Sequence, residues 1–386
     1  MALGMFDRVF SHQLMLADKV RMNSYKRAIF EMVKKGDIVC DIGTGSGILA
    51  FFAVLAGAKK VYAIEKDYVI EEAKELARLN GLKKKIVFIN DRSDKVELPE
   101  KVDVIISELL GHFGLEENIY RFKSDARRRF LTSKGKLIPS WLDLYLVPVE
   151  SSALWRDRIG IWDKDLYGLD FSSVKQYAVS NRYIADCSGK ISFLANPFLI
   201  SHVNFYEDER TPSILKGEFI INRKGVFHGL VGYFKAGLSK SVILSTSPRE
   251  PITHWKQTFF PMQESIGLKK DDVVYYILKV IPYRDNLFWQ WQIRIVRGGT
   301  EVATFDQTNL NVTKEELVIG REDFKPALTQ ESEIYCRVFS LCNGRRTMGE
   351  IAKMIRAEYP AKYRTVKDAR SKITSILWGK VRLPEH

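Results

Sequence analysis

The chain reads as a parallel α/β domain, then an antiparallel β domain, then a small helical domain. Three changes of texture predict this. From Asp37 to Glu108 short β-branched runs alternate with helix-like stretches, the pattern of βαβ units and a parallel sheet. After Pro139, aromatic and β-branched runs such as WLDLYLVPVE and FWQWQIRIVRGG are separated by Gly, Pro or charged turns, as in an antiparallel sheet or barrel. From residue 321 apolar residues return at helical spacing. A length of 386 residues suits two or three domains at roughly 100–200 residues each, and the boundaries fall at 1–140, 141–320 and 321–386.

Taken in order, IVCDIG and VYAIEKD are strands flanking the helical GILAFFAVLAGA. YVIEEAKELARLNG is a helix with an Asn-Gly stop, and KIVFIND and VDVIISE are further strands. Residues 153–185 are helix-like with exposed aromatics, as a projecting arm would be. SEIYCRVFSLCNGRRTMGEIAKMIRAEYP and TVKDARSKITSILWGKV are the C-terminal helices.

Composition places the chain among folded proteins, with 46% hydrophobic and 28% charged residues. Cys40, Cys187, Cys336 and Cys342 form no CxxC pair or Cys/His cluster, so no disulfide framework and no metal site is expected. Without a signal-like N-terminus or an apolar run of membrane-spanning length, the expectation is a cytoplasmic protein in a reducing compartment, with no membrane partner. The net charge of +13 suggests an acidic partner such as nucleic acid. Residues 321–386 carry 14 Lys and Arg against 8 Asp and Glu, so nearly half of the excess lies in the last domain. A nucleic-acid partner is thus possible but not favoured.

The strongest local motif is VCDIGTGSGIL, in which Asp41 precedes Gly43, Gly45 and Gly47 between a strand and a helix. Glycines there let the backbone turn tightly and approach a ligand at a helix N-terminus. Glu65 ends the next strand, where a carboxylate can accept both ribose hydroxyls of an adenosyl group. A site rich in acids suits S-adenosylmethionine, a cation without phosphates, better than a pyrophosphate. Glu108 ends the fourth strand and Glu117 follows nine residues later, so both can return to the carboxyl edge of the sheet. Paired carboxylates suit a guanidinium, which offers five N–H donors in a planar fork.

Together with STSPREPITHWKQTFF at 245–260, these motifs resemble the protein arginine methyltransferases, with their glycine loop, double-glutamate hairpin and Thr-His-Trp loop. The resemblance runs over roughly residues 5–315 and includes LADKVRMNSYKRAI, AGAKKVYAIE, ELPEKVDVIISE and WDKDLYGLDFS, the last similar to the family's dimerisation arm. It implies a Rossmann-type domain, a β-barrel domain with an inserted helical arm, S-adenosyl-L-methionine as cofactor, a peptide or protein substrate, and a head-to-tail homodimer through 153–185. Residue by residue, it implies that Glu108 and Glu117 bind the guanidinium and that His254 is paired with Asp18. Arg21 would hold the cofactor carboxylate, Glu65 the ribose, and Asp94 the adenine region. Met15, His112 and Trp255 would line the substrate pocket.

The sequence also departs from the family. Met5-Phe6-Asp7-Arg8-Val9-Phe10 lacks both tyrosines of the N-terminal motif, Leu109-Leu110 replaces Trp-Met, His112 replaces a tyrosine, and Ile119 a methionine. An additional carboxylate, Glu116, adjoins Glu117. The C-terminal region is similar to PqqD-like modules that bind leader peptides of ribosomally made natural products, and also to winged-helix domains. A tailoring methyltransferase for a leader-bearing peptide or another amine is therefore an alternative, and a regulatory or nucleic-acid-interacting protein with reduced turnover is another.

Overall fold

A computed structural model describes residues 12–207, 212–283, 286–307 and 325–377. Met5–Phe10 lies outside the described residues. The chain divides into two compact units, residues 1–311 and 312–386.

A short helical stretch at 12–17 precedes α1 (Lys19–Met32), which is capped by Asp18, whose Oδ1 accepts the Arg21 N–H at 2.9 Å. Strands β1 (Ile38–Ile42), β2 (Lys60–Ile64), β3 (Ile86–Ile89), β4 (Val102–Ser107) and β5 (Leu131–Ile138) form a parallel sheet in the order β3-β2-β1-β4-β5. Near-continuous apolar strands suit a sheet covered on both faces, and Val39, Val61, Val104 and Ile105 are fully buried. Helices α2 (Ile48–Leu55), α3 (Val69–Leu79) and α4 (Ile119–Phe130) make the crossovers. The Asn-Gly stop closes α3, with Gly81 at φ +69°. Strand order reverses between β1 and β4, and such a switch point opens a crevice at the carboxyl ends of the strands.

Beyond Pro139, β6 (Trp141–Glu150) pairs with the long strand Gly225–Gly237, which pairs in turn with Gln257–Leu268. A second sheet stacks Ile214–Ile220, Val273–Tyr283, Asn286–Arg297 and Thr300–Gln307 antiparallel. Phe113, from the loop after β4, is fully buried against Trp289 and Phe260, with ring centroids 5.0 and 5.7 Å away. Gly232 makes room for it, because a Cβ there would lie 2.7 Å from the ring. The β domain thereby grips the loop that carries the paired glutamates.

The arm is less helical than its sequence suggests. After α5 (Ser152–Arg158) come a 3-10 turn, a two-residue hairpin of Asp165–Leu166 with Leu169–Asp170, and α6 (Lys175–Val179). The hairpin turn takes positive φ at Tyr167 (58°) and Gly168 (79°), which no helix accommodates. Tyr167 is fully exposed, and Leu169 and Tyr177 are also exposed.

In the second unit α7 (Gln330–Leu341), α8 (Met348–Glu358) and α9 (Val366–Leu377) enclose Ile334, Val338, Ile351, Ile355 and Ile373 in their own core. Thr347 and Glu350 form a capping box at the start of α8. Among the described residues this unit has three helices and no strand, so the winged-helix likeness rests on the helices alone.

Candidate active site

A cavity of about 810 Å³ opens where the sheet order reverses. Its wall includes His12, Met15, Arg21, Gly43, Gly45, Glu65, Glu108, His112, Glu117, His254 and Trp255. The glycine loop is a backbone cradle. Gly43, Gly45 and Gly47 all have positive φ, and a Cβ on Gly45 would sit 2.9 Å from the His12 ring. Glu65 Oε2 accepts the Gly45 N–H at 3.1 Å and Oε1 the Asp67 N–H at 2.9 Å, fixing a carboxylate at the cavity edge. This cradle, an acid for a diol, and the volume together fit an adenosyl cofactor.

Two expected cofactor contacts are placed otherwise. Asp41 is fully buried beneath the loop, where its Oδ2 accepts the Thr44 hydroxyl at 2.6 Å. Burial pushes its pKa up to about 7 against the pull of Thr44. It shapes the loop without reaching the cavity. Asp94 accepts from Arg92 at 3.0 and 3.1 Å and from Arg121 at 2.9 Å, and these arginines hold its pKa below the usual carboxylate range despite burial. Asp91, Arg92 and Ser93 take its place on the wall.

Arg21 is directed at Glu108. Its Nε and Nη2 donate to Glu108 Oε2 at 2.9 and 2.5 Å, and the two side chains are 6% and 7% exposed. Burial opposes the Arg21 charge, but Glu108 outweighs it and raises the pKa. Met15 contributes its carbonyl, which accepts from Arg21 Nη1 at 3.3 Å. On Glu108 the Arg21 guanidinium makes the kind of contact that an acceptor guanidinium would make.

Glu117 opens onto the cavity while Glu116 turns away. Glu116 accepts the Phe113 N–H at 3.0 and 3.1 Å and pairs with Arg182 at 3.3 Å, bracing the loop. A Cβ on Gly111 would collide with the Glu116 carboxylate, so glycine there is required by the turn. Surrounding protein, then the Glu108 and Glu116 charges, push Glu117 up to a pKa of about 8, with Lys66 and Arg21 opposing.

His254 and Asp18 lie 236 residues apart in sequence and meet as expected. Asp18 Oδ2 accepts both the His254 backbone N–H (2.8 Å) and Nδ1–H (2.9 Å). Burial alone would raise the Asp18 pKa, but these bonds and the Arg21 N–H lower it. Trp255 is buried and donates from Nε1 to the Leu110 carbonyl at 2.6 Å, while its own carbonyl contacts His112 Nδ1 at 2.8 Å. Phe113, Arg182 and Thr44 were not singled out from the sequence, and Glu116 was noted there only as a second carboxylate beside Glu117. Only the glycines flanking His112-Phe113 hinted at a tightly packed turn there.

Glu117 is mostly protonated at pH 7 in the ligand-free protein, because its raised pKa favours the neutral form below about 8. A guanidinium favours the ionised form. Its binding at pH 7 should release close to one proton, and its affinity should rise with pH and level off above about 8. Calorimetry of an arginine peptide in buffers of differing ionisation enthalpy measures this. Glu117→Gln should abolish the release, whereas wild-type binding without proton release would contradict the assignment.

The chain matches known proteins over about seven-tenths of its length. The family model described as ribosomal protein L11 methyltransferase matches residues 26–140, and that of the arginine methyltransferase oligomerization subdomain matches 142–290. The chain is 32% identical over 285 residues to protein arginine N-methyltransferase 1 of Oryza sativa, covering 71% of this chain and 73% of that protein. It is also 32% identical to the enzyme of that name from Chlamydomonas reinhardtii, over 71% and 81% of the two chains. Among solved structures it is similar to the Trypanosoma brucei PRMT1 enzyme-prozyme heterotetrameric complex with AdoHcy, with TM-score 0.69, 25% identity, and coverage of 77% of this chain and 96% of that one. Arabidopsis thaliana protein arginine methyltransferase 10 gives TM-score 0.67 at 25% identity and the same coverage. With its glycine cradle, paired glutamates and His254–Asp18 pair in one cavity, the chain belongs to the protein arginine N-methyltransferase family.

Proposed function

We propose that the chain transfers a methyl group from S-adenosylmethionine to a guanidino nitrogen of arginine in a peptide or protein. The observation that carries this is the convergence of Glu108 and Glu117 with the glycine cradle in one cavity. S-adenosylmethionine, when bound, supplies the methyl as a sulfonium. Gly43, Gly45 and Glu65 hold the adenosyl part, and Arg21 serves the cofactor carboxylate while staying close to Glu108. Glu108 and Glu117 accept the guanidinium N–H groups and fix its plane, so that orientation and charge alignment supply most of the acceleration. The surplus proton leaves to His254 Nε2, the ring nitrogen that Asp18 does not engage.

Two further readings accompany this. The exposed Tyr167, Leu169 and Tyr177 of the arm pair two copies of the chain, a reading supported by the oligomerization-subdomain match. The second compact unit recruits a peptide substrate through its basic surface, on which Arg345, Arg346 and Lys353 are exposed.

Glu108→Gln is expected to lower methyl transfer at saturating cofactor by at least about 10²-fold and to lower the melting temperature, since Arg21 loses its counter-charge, measured by filter assay and thermal denaturation. Full activity in that variant would sink the guanidinium assignment. Truncation after residue 311 should raise KM for the natural acceptor and leave cofactor affinity and oligomeric state unchanged. An unaltered KM would remove the recruiting role, and dissociation to monomers would remove the arm as the interface.

A further inference from the structure

His112 stands where the family has a tyrosine, and its hydrogen bonding fixes which of its nitrogens can serve a ligand. Nδ1 lies 2.8 Å from the Trp255 carbonyl. A carbonyl only accepts, so Nδ1 carries the hydrogen and Nε2 of the neutral ring presents a lone pair. The anchor is rigid, because Trp255 is buried and its indole is tied to the Leu110 carbonyl, two residues before His112. His112 lines the same cavity as Glu117 and His254.

Burial disfavours the charged form of this ring. Burial lowers its pKa first, the Trp255 carbonyl and Glu116 pull it up, and Arg182 and His254 lower it again, leaving it below the ordinary histidine value. The two cavity histidines therefore differ in kind. The Nδ1 of His254 is set on a carboxylate, whereas the Nδ1 of His112 is set on a neutral carbonyl.

Resting on the guanidino reading above, we propose that His112 is a specificity-determining residue of the acceptor pocket. Its Nε2 accepts an N–H of the acceptor guanidinium and so favours a nitrogen that still carries its hydrogens over one already methylated. A guanidinium has five N–H donors; Glu117 takes at most two, and Glu108, whose Oε2 already accepts two from Arg21, takes no more than two, so at least the fifth is left over. A neutral acceptor can take the fifth without adding another negative charge to a pocket that already holds Glu108 and Glu117. A methyl in that place leaves the lone pair unpaired, a loss of about tenfold in kcat/KM.

The test compares kcat/KM on a peptide bearing arginine with the same peptide bearing ω-N-methylarginine, for wild type, His112→Asn and His112→Gln. The Asn side chain can keep the bond to the Trp255 carbonyl but has no acceptor at the Nε2 position, and Gln restores a non-basic one. Wild type should prefer the unmethylated peptide about tenfold. His112→Asn should bring the ratio near one with cofactor affinity and melting temperature held, and His112→Gln should recover part of the preference. An unchanged ratio in His112→Asn, while wild type methylates arginine, overturns this inference alone. A wild type that methylates no arginine overturns the proposed function and this inference with it. Independently of any variant's folding, ¹⁵N spectra of wild type at pH 7.5 should show His112 as the neutral Nδ1–H tautomer, and an Nε2–H tautomer or an imidazolium would overturn the proposal.

Discussion

The ion pair between Arg21 and Glu108 is the constraint around which the site is arranged. Both groups are nearly sealed from solvent, and removing either partner of such a pair leaves an uncompensated buried charge at a cost of about 3–5 kcal/mol. The pair ties the first turn of α1 to the carboxyl end of β4. Three residues before Arg21, Asp18 uses one oxygen to cap α1 and the other to hold His254. One helix turn therefore joins the sheet edge to the Thr-His-Trp loop of the β domain. A change that shifts the start of α1 moves three functional groups at once.

The acceptor side is held just as tightly, by apolar packing and by one buried acid. Phe113 enters the β domain while Glu116 binds the backbone of the same loop and Arg182. These contacts leave Glu117 facing the cavity, where burial and then the Glu108 and Glu116 charges raise its pKa. The guanidinium of a substrate would supply the missing counter-charge, so the ligand-free site is poised for a cation rather than satisfied within itself.

The parallel sheet and the glycine loop were legible because their signals are local: alternating strands and helices, and glycines at positions that need positive φ. Asp18 and His254 were legible only through family resemblance, since no local pattern links residues 236 apart. For Asp94 the sequence could not show that Arg92, two residues before it, and Arg121 of α4 donate to its carboxylate. The arm misled because helical spacing does not reveal a Tyr-Gly turn of left-handed backbone. Glu116 and Glu117 could not be told apart in sequence, and the Phe113 N–H decides between them.

The central claim is that a methyl reaches a guanidino nitrogen held by two glutamates. Tandem mass spectrometry of peptides treated with the purified protein and S-adenosylmethionine carrying an isotopically labelled methyl tests it most directly. The account predicts label on arginine guanidino nitrogens of wild-type products. Label confined to lysine, histidine or a peptide terminus would contradict it.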